Sequence, residues 1–355
     1  MSQLINYYFI IKGDFVTDYV IETTNLSKKY SKKYVVDSID MHVERGKIYG
    51  LLGKNGAGKT TTMCMLLNLV APSDGDILLF GMNPKEHSKE VYSNIGSIIE
   101  TPGFYENLTA YENLEIVSKL RGKYNPLIIK MVLEMVNLDH EKTKKFKDYS
   151  LGMKQRLGIA AAIMHNPELL ILDEPINGLD PFGIKEIRDL LKRLSREYGV
   201  TILISSHILS EIENIADVIG FMDEGCLIDE ITKEELHTRL NKFVEFEVSD
   251  IDLAVDLLKD TGFEENGDFT FARNIGNYIE DMNSLKSFES DGYVNSEDGF
   301  ESSENAIGGT IHLLTNLDLR DQFNKLFVSS GIDVRKVNLC EENLEEFFTR
   351  IVSSA

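Results

Sequence analysis

Apolar positions along the chain fall into two rhythms. Up to about residue 235, short apolar runs recur: VIETTNLSKKY (20–30), the pieces of VVDSIDMHV (35–43), GKIYGLLG (46–53), DILLF (76–80), NIGSII (94–99), LLILD (169–173), TILISS (201–206) and VIGFM (218–222). Helix-length stretches of mixed polarity separate the later ones. That alternation predicts an α/β domain with a largely parallel core sheet that includes the DILLF run. Beyond residue 241, KFVEFEVSD (242–250) alternates like a strand and DLAVDLLKDTGF (252–263) reads as a helix. TIHLLTN (310–316) and VRKVNL (334–339) are further strands, each followed by a helix, LRDQFNKLFVSS (319–330) and ENLEEFFTRIV (342–352). A small α+β appendage is the expectation there.

Charge sharpens the boundary. Residues 241–355 hold 24 acidic and nine basic side chains, against 34 and 28 in the first 240. The expected domains are 21–235 for the α/β part, with a helical subdomain over about 101–160, and 236–355 for an acidic accessory domain. Residues 285–309, rich in Ser, Glu, Asp and Gly, read as a flexible stretch. Residues 1–20 read as an N-terminal extension. Lys12-Gly13-Asp14 is compatible with a translated ribosome-binding sequence and Val16 with an alternative start, so a misassigned start is the other reading. The net charge of −21 opposes nucleic-acid binding, which requires cations to replace counterions along phosphates. Cys64, Cys226 and Cys340 are too few and scattered for a disulfide framework or metal cluster. No run reaches the ~18–20 apolar residues of a membrane span.

Two stretches carry chemistry. GKNGAGKT (53–60) fits G-x-x-x-x-G-K-[ST], between a strand and a helix. Gly53, Asn55, Gly56, Ala57, Gly58, Lys59, Thr60 and Thr61 form the turn and helix start that would wrap a phosphate chain. Lys59 reaches the β and γ phosphates, and Thr60 sets its hydroxyl on Mg²⁺. LLILDEP (169–175) is a buried strand ending in two carboxylates. Neighbours on a strand point to opposite faces, so the two have different duties: Asp173 belongs to the metal shell, through water, and Glu174 is the base for a hydrolytic water.

YSLGMKQRLGIAAAIMHNPELLILDEP (149–175) then brings in a family: it resembles the nucleotide-binding subunit of an ATP-binding cassette (ABC) transporter. The resemblance covers roughly residues 20–235. YSLGM (149–153) stands where the family signature reads leucine-serine-glycine-glycine-glutamine, keeping Ser150 and Gly152 but departing at Leu151 and Met153. NGLDP (177–181) resembles the loop after the metal-binding strand, with Asp180 at a subunit-contact position. His207 matches the switch histidine, and Tyr30 resembles the aromatic that stacks on adenine, although Tyr34 is close by. The resemblance implies a P-loop NTPase fold of ABC ATPase type with a helical signature subdomain, and ATP and Mg²⁺ as cofactors. It also implies a head-to-tail homodimer in which Ser150 and Gly152 meet the nucleotide of the opposite copy.

Glu100, in GSIIETPGFYENLTAYENL (96–114), stands where most of the family has glutamine. A carboxylate lacks the amide's donor, but it can sit near Mg²⁺ or the attacking water, so Glu100 is a candidate in both the catalytic and the metal set. This version of the loop resembles the subgroup that protects bacteria from lantibiotics and bacitracin. The expected partner is a separate integral-membrane permease docked around residues 101–149, including Phe104, Tyr105 and Tyr111. No direct contact with the transported substrate is expected. The chain would be peripheral, on the cytoplasmic face of the membrane. A transporter for other cargo, or a soluble repair or translation ATPase, is the competing reading. The lack of a coiled-coil insertion and the single cassette count against the soluble one.

Overall fold

The structure is a computed structural model and describes residues 18–122, 124–265, 268–273, 307–314 and 319–354. The first 17 residues, and nearly all of the stretch expected to be flexible, lie outside the described residues. The chain divides into two compact units, Arg239–Phe347 and the remainder.

In the first unit a six-stranded sheet runs in the order β10-β9-β4-β8-β7-β6. It comprises β4 (Ile48–Leu52), β6 (Ile95–Ile98), β7 (Leu169–Leu172), β8 (Thr201–Ser206), β9 (Val218–Asp223) and β10 (Cys226–Thr232). All pairs are parallel except β9 with β10. Every residue of β4, β7 and β8 is buried, the pattern of strands covered on both faces. The edge strand β10 has no apolar run comparable to the others, which is why the apolar rhythm does not reveal it.

The DILLF run departs from expectation. Its residues lie in β5 (Asp74–Leu79), which pairs antiparallel with β1 (Tyr19–Tyr30) in a separate sheet with β2 (Lys33–Ile39) and β3 (His42–Glu44). The cause is amphipathicity: Ile77 and Leu79 are buried while Asp76 and Leu78 are exposed, and a one-faced strand suits an antiparallel sheet. Tyr49 on β4 ties the two sheets together. Its hydroxyl donates to Glu230 Oε1 at 2.6 Å, and the same carboxylate accepts the amide of His42 at 2.9 Å. Burial, then the Glu230 charge, pushes the Tyr49 hydroxyl well above its usual pKa.

The helical arm contains Ala110–Leu120 and Pro126–Met135, followed by the helix Leu151–Ile163. Thr109 and Glu112 form a reciprocal capping box at the first helix, and Asn125 with Pro126 starts the second. Leu151–Ile163 lies close on β6 and the loop beyond it. A side chain at Gly158 would put its Cβ 2.5 Å from Pro102 Cγ, so a glycine is needed for the Glu100 loop and this helix to touch.

Among the described residues the second unit has the order βαββαβ: β11 (Lys242–Val248), helix Ile251–Asp260, β12 (Phe269–Arg273), β13 (Gly309–Leu314), helix Arg320–Ser329 and β14 (Val334–Glu341). The antiparallel sheet runs β12-β13-β11-β14, a ferredoxin-like arrangement. Its core is aromatic. The Phe246 ring meets Phe327 edge-on at 5.3 Å and Phe323 at 6.5 Å, and Phe246 is wholly buried. Phe246→Ala is expected to cost about 3–5 kcal/mol in this unit. In calorimetry of the full chain it should bring forward one transition while ATP binding to the first unit persists; a single transition shifted as a whole would refute independent unfolding.

Candidate nucleotide site

Wholly buried β4 delivers the chain into the turn Gly53–Gly58, and helix Lys59–Leu66 leaves it. Gly58 adopts φ 106°, and a Cβ there would lie 2.6 Å from the Val35 carbonyl oxygen, so that position tolerates no side chain. The amides of Asn55, Gly56, Gly58, Lys59, Thr60 and Thr61 make no backbone hydrogen bond among the described residues. They form a concavity of unspent donors at a helix start, the arrangement that takes an anion. Lys59 is buried. Its ammonium turns back on the loop, donating to Gly53 O at 2.6 Å and Lys54 O at 3.2 Å.

A connected polar network closes the other side. Thr60 Oγ1 donates to Asp173 Oδ2 at 2.8 Å, and Ser205 Oγ donates to Asp173 Oδ1 at 2.6 Å. The Glu174 amide donates to that serine oxygen at 2.8 Å, and His207 Nδ1 lies 2.9 Å from Glu174 Oε2. Asp173 is only 5% exposed, and both of its oxygens are hydrogen-bonded, as a buried carboxylate requires. Glu174 turns the opposite way on a left-handed backbone, φ 46°, a conformation that costs of order 1–3 kcal/mol and gathers at working sites. Its Oε1 is buried without a hydrogen bond, 3.5 Å from Lys59 Nζ.

This arrangement fits a magnesium nucleoside triphosphate. The amide cradle and Lys59 suit a phosphate chain. The Thr60 hydroxyl and Asp173 carboxylate suit Mg²⁺, which takes one or two side chains besides phosphate oxygens. The orphaned Glu174 Oε1 is an acceptor with capacity for a water. Such a nucleotide, when bound, supplies the scissile phosphoanhydride.

The remaining expected residues lie apart from this network. Ser150 Oγ accepts the Met153 amide at 3.3 Å, capping helix Leu151–Ile163, and Asp180 Oδ1 accepts the Gly183 amide at 2.8 Å, capping helix Pro181–Tyr198. Gly152 is half-buried, and a Cβ there would lie 3.8 Å from Leu179 Cδ2. No hydrogen bond or ion pair described here joins Ser150, Gly152 or Asp180 to the turn. Leu151 is 42% exposed, and its Cδ2 lies 3.3 Å from where a Gly178 Cβ would be. Tyr30 is exposed with Lys28 Nζ 5.0 Å over its ring, and Lys29 Nζ sits 4.6 Å over Tyr34. Both rings stand at the tip of the β1–β2 hairpin, and neither is core.

Glu100 is exposed at φ 60°. Burial, then the charges of Asp173 and Glu100, raises the Cys64 thiol pKa. Cys64 lies one turn beyond Thr60 on the same helix.

Two features escape a reading of the sequence alone. Ser205 is one of two serines ending TILISS, and only the pairing of β8 beside β7 puts it between Asp173 and Glu174. Arg156 and Arg193 hold the far end of helix Pro126–Met135, as described below.

A glycine turn between a buried parallel strand and a helix, faced by Asp173, Glu174 and His207, defines a P-loop nucleoside triphosphatase with a helical arm. The family described as ABC transporter matches residues 36–177. The chain is 50% identical over 337 residues to the bacitracin transport ATP-binding protein BcrA of Enterococcus faecalis, covering 95% of this chain and 97% of that one. It is 44% identical to the protein of that name from Bacillus licheniformis over 94% of this chain and 97% of that one. Among solved structures, cbiO1 of Clostridium perfringens, part of the cbiONQ ABC transporter complex, is 28% identical with a TM-score of 0.57, covering 63% of this chain and 92% of that one. The chain belongs to the ATP-binding subunits of ABC transporters. ATP hydrolysis with Mg²⁺ is the generic activity of that family, and its members generally pair with a membrane permease.

Removing the Ser205 hydroxyl deprives both Asp173 and the Glu174 amide of a partner. Ser205→Ala is expected to lower ATPase kcat about 10–100-fold, as for lost outer-shell partners of a metal ligand, with little change in ATP affinity. Unchanged turnover would show that Ser205 does not position the two carboxylates.

Proposed function

We propose that this chain powers a permease that expels a bacitracin- or lantibiotic-like antimicrobial peptide from the membrane. The observation that carries this reading is the 50% identity to a bacitracin transport ATP-binding protein over 95% of the chain, which runs through the acidic appendage as well as the cassette. The Glu100 loop supports it independently.

In this reading the amide cradle and Lys59 bind the triphosphate, while Thr60 and Asp173 hold Mg²⁺. Glu174 accepts a proton from the attacking water at its orphaned carboxylate oxygen, and His207 holds the other oxygen of that carboxylate. When its Nδ1 carries the proton, a neutral His207 donates to Glu174 and keeps Nε2 as an acceptor. Glu100 adds negative charge at the metal side. Ser150, Gly152 and Asp180 serve the nucleotide of a second copy, since each is engaged only locally within its own chain. Tyr30 is the adenine-stacking candidate.

The permease docks on the helical arm. A largely apolar groove of about 700 Å³ lies between helices Ala110–Leu120 and Pro126–Met135, lined by Tyr111, Leu127, Met131, Leu133 and Leu138 among others. Tyr111 and Tyr124 are joined by a hydrogen bond that, with burial and Glu115, pushes the Tyr124 hydroxyl up to about 12. Tyr105 is exposed, and Phe104 and Tyr111 are half-buried, Phe104 with its ring edge-on to Phe146 at 5.2 Å; all three are candidate contacts. No helix among the described residues is long and apolar enough to cross a membrane. In this reading the permease holds the chain at the cytoplasmic face of the membrane.

Glu174→Gln is expected to retain ATP binding, abolish turnover and accumulate an ATP-bound dimer in light scattering; wild-type turnover in this variant would remove Glu174 as the base. For cargo, host cells with the gene intact, deleted or carrying Lys59→Ala should be challenged with bacitracin and a panel of lantibiotics. Loss of survival against one peptide in both altered strains is expected. Equal survival of all three strains, with protein and permease expressed, would refute the peptide assignment and leave the ATPase intact.

A further inference from the structure

We infer that Arg156 and Arg193 form a joint that positions the Ser150 end of helix Leu151–Ile163 relative to the catalytic core, coupling the permease groove to the signature residues. The inference rests on the reading that Ser150 serves a second copy. Helix Pro126–Met135 ends at Val136, with Asn137 at φ 58° beyond it. The last carbonyls of a helix have no intrahelical partner and carry the negative end of its dipole. Here they are taken by two cations from two other helices. Arg156 Nη1 donates to Val136 O at 3.1 Å and Asn137 O at 3.0 Å, and Arg193 Nη2 donates to Met135 O. Arg156 lies on Leu151–Ile163, and Arg193 on Pro181–Tyr198. Glu186, two turns before Arg193, has its Oε1 3.6 Å from Arg156 Nη1.

Three helices therefore meet at one set of carbonyls, and each leads to a different place. Pro126–Met135 lines the permease groove through Leu127, Met131 and Leu133. Leu151–Ile163 starts at Ser150, two turns before Arg156. Pro181–Tyr198 starts at Asp180, next to the Gly178 segment that touches Leu151. A push on the groove has a short path to the signature through these contacts.

The joint also has room and reason to shift. It borders a polar cleft of about 600 Å³ lined by Glu134, Glu186, Asp189 and Glu197 as well as both arginines. Arg156 Nε and Arg193 Nε are buried without a hydrogen bond. A buried donor left unspent costs about 1–3 kcal/mol, and carboxylates across the cleft would recover it in a second arrangement. A joint that is satisfied only in part in one arrangement is a fitting element for a transition between two.

The test uses the full chain. In a Glu174→Gln background, Arg193→Ala is expected to leave nucleotide affinity of the monomer unchanged while weakening the ATP-induced dimer at least about tenfold, one pKa-unit equivalent of free energy. Arg193→Lys, which keeps one donor, should restore most of it. Amide exchange is read in parallel without relying on dimerisation. Arg193→Ala should speed exchange at residues 135–138 and, through Arg156, at 150–154. Unchanged dimer strength together with unchanged exchange at 150–154 would overturn the inference. So would a parallel fall in melting temperature, monomer affinity and dimer strength, which marks a merely structural residue. If the parent Glu174→Gln fails to dimerise, the second-copy reading falls, and the exchange result alone decides whether the joint positions Ser150.

Discussion

The buried Asp173 carboxylate is the constraint on which the site depends. A carboxylate this deep is tolerated only when its oxygens are satisfied, and its two partners come from different elements: Thr60 from the helix after the glycine turn and Ser205 from β8. Satisfying one charge therefore fixes the distance between the turn, the end of β7 and the end of β8. Ser205 then passes the constraint on to the Glu174 amide. The left-handed Glu174 backbone is bonded to the same hydroxyl that donates to its neighbour Asp173. Lys59 spends its ammonium on a loop carbonyl close to Glu174, so a cation and a carboxylate flank the amide cradle.

The signature half of the chain is built on a different principle. Ser150 and Asp180 are helix caps, and each spends an oxygen on its own helix start. Close packing relates this half to the catalytic core. Gly158 lets Leu151–Ile163 lie against Pro102 in the loop that follows Glu100, and the arginines at Met135–Asn137 fasten the other end. The loop that bears Glu100 thus touches the helix that bears Ser150. Leu151, a departure from the family signature, is accommodated by turning its side chain toward Gly178, where the absence of a Cβ leaves space.

The accessory unit has its own core and its own logic. Its strand β11 alternates strictly, with Val244, Phe246 and Val248 buried and Glu245 on the opposite face. There Lys336, at 2.8 Å, then burial against it and the His312 charge, together hold the Glu245 carboxyl below its usual range. The acidic balance of this region is thus partly offset across strands, and the aromatic cluster below supplies the cohesion.

Much of this was legible in one dimension because the chemistry is local. GKNGAGKT needs only a strand before it and a helix after it, and LLILDEP needs only burial of four apolar residues to put two carboxylates at a strand end. The β11 strand announces itself by alternation, and β13 and β14 by short apolar runs before a helix. The edge strands β10 and β12 do not, because a strand exposed along one side needs no apolar run. DILLF went to the antiparallel sheet because its exposed positions suit a one-faced strand, a choice that depends on where β1 lies. The roles of Ser205, Arg156 and Arg193 were invisible for a related reason. Their partners stand 19 to 58 residues away or more, and only the order of parallel strands and the crossing of three helices brings them together. Sequence alone determined the class of chemistry, since phosphate cradling and metal binding require particular atoms at fixed spacing. Tertiary structure decided which hydroxyl and which cations hold those atoms in place, since long-range contacts are set by packing rather than by spacing along the chain.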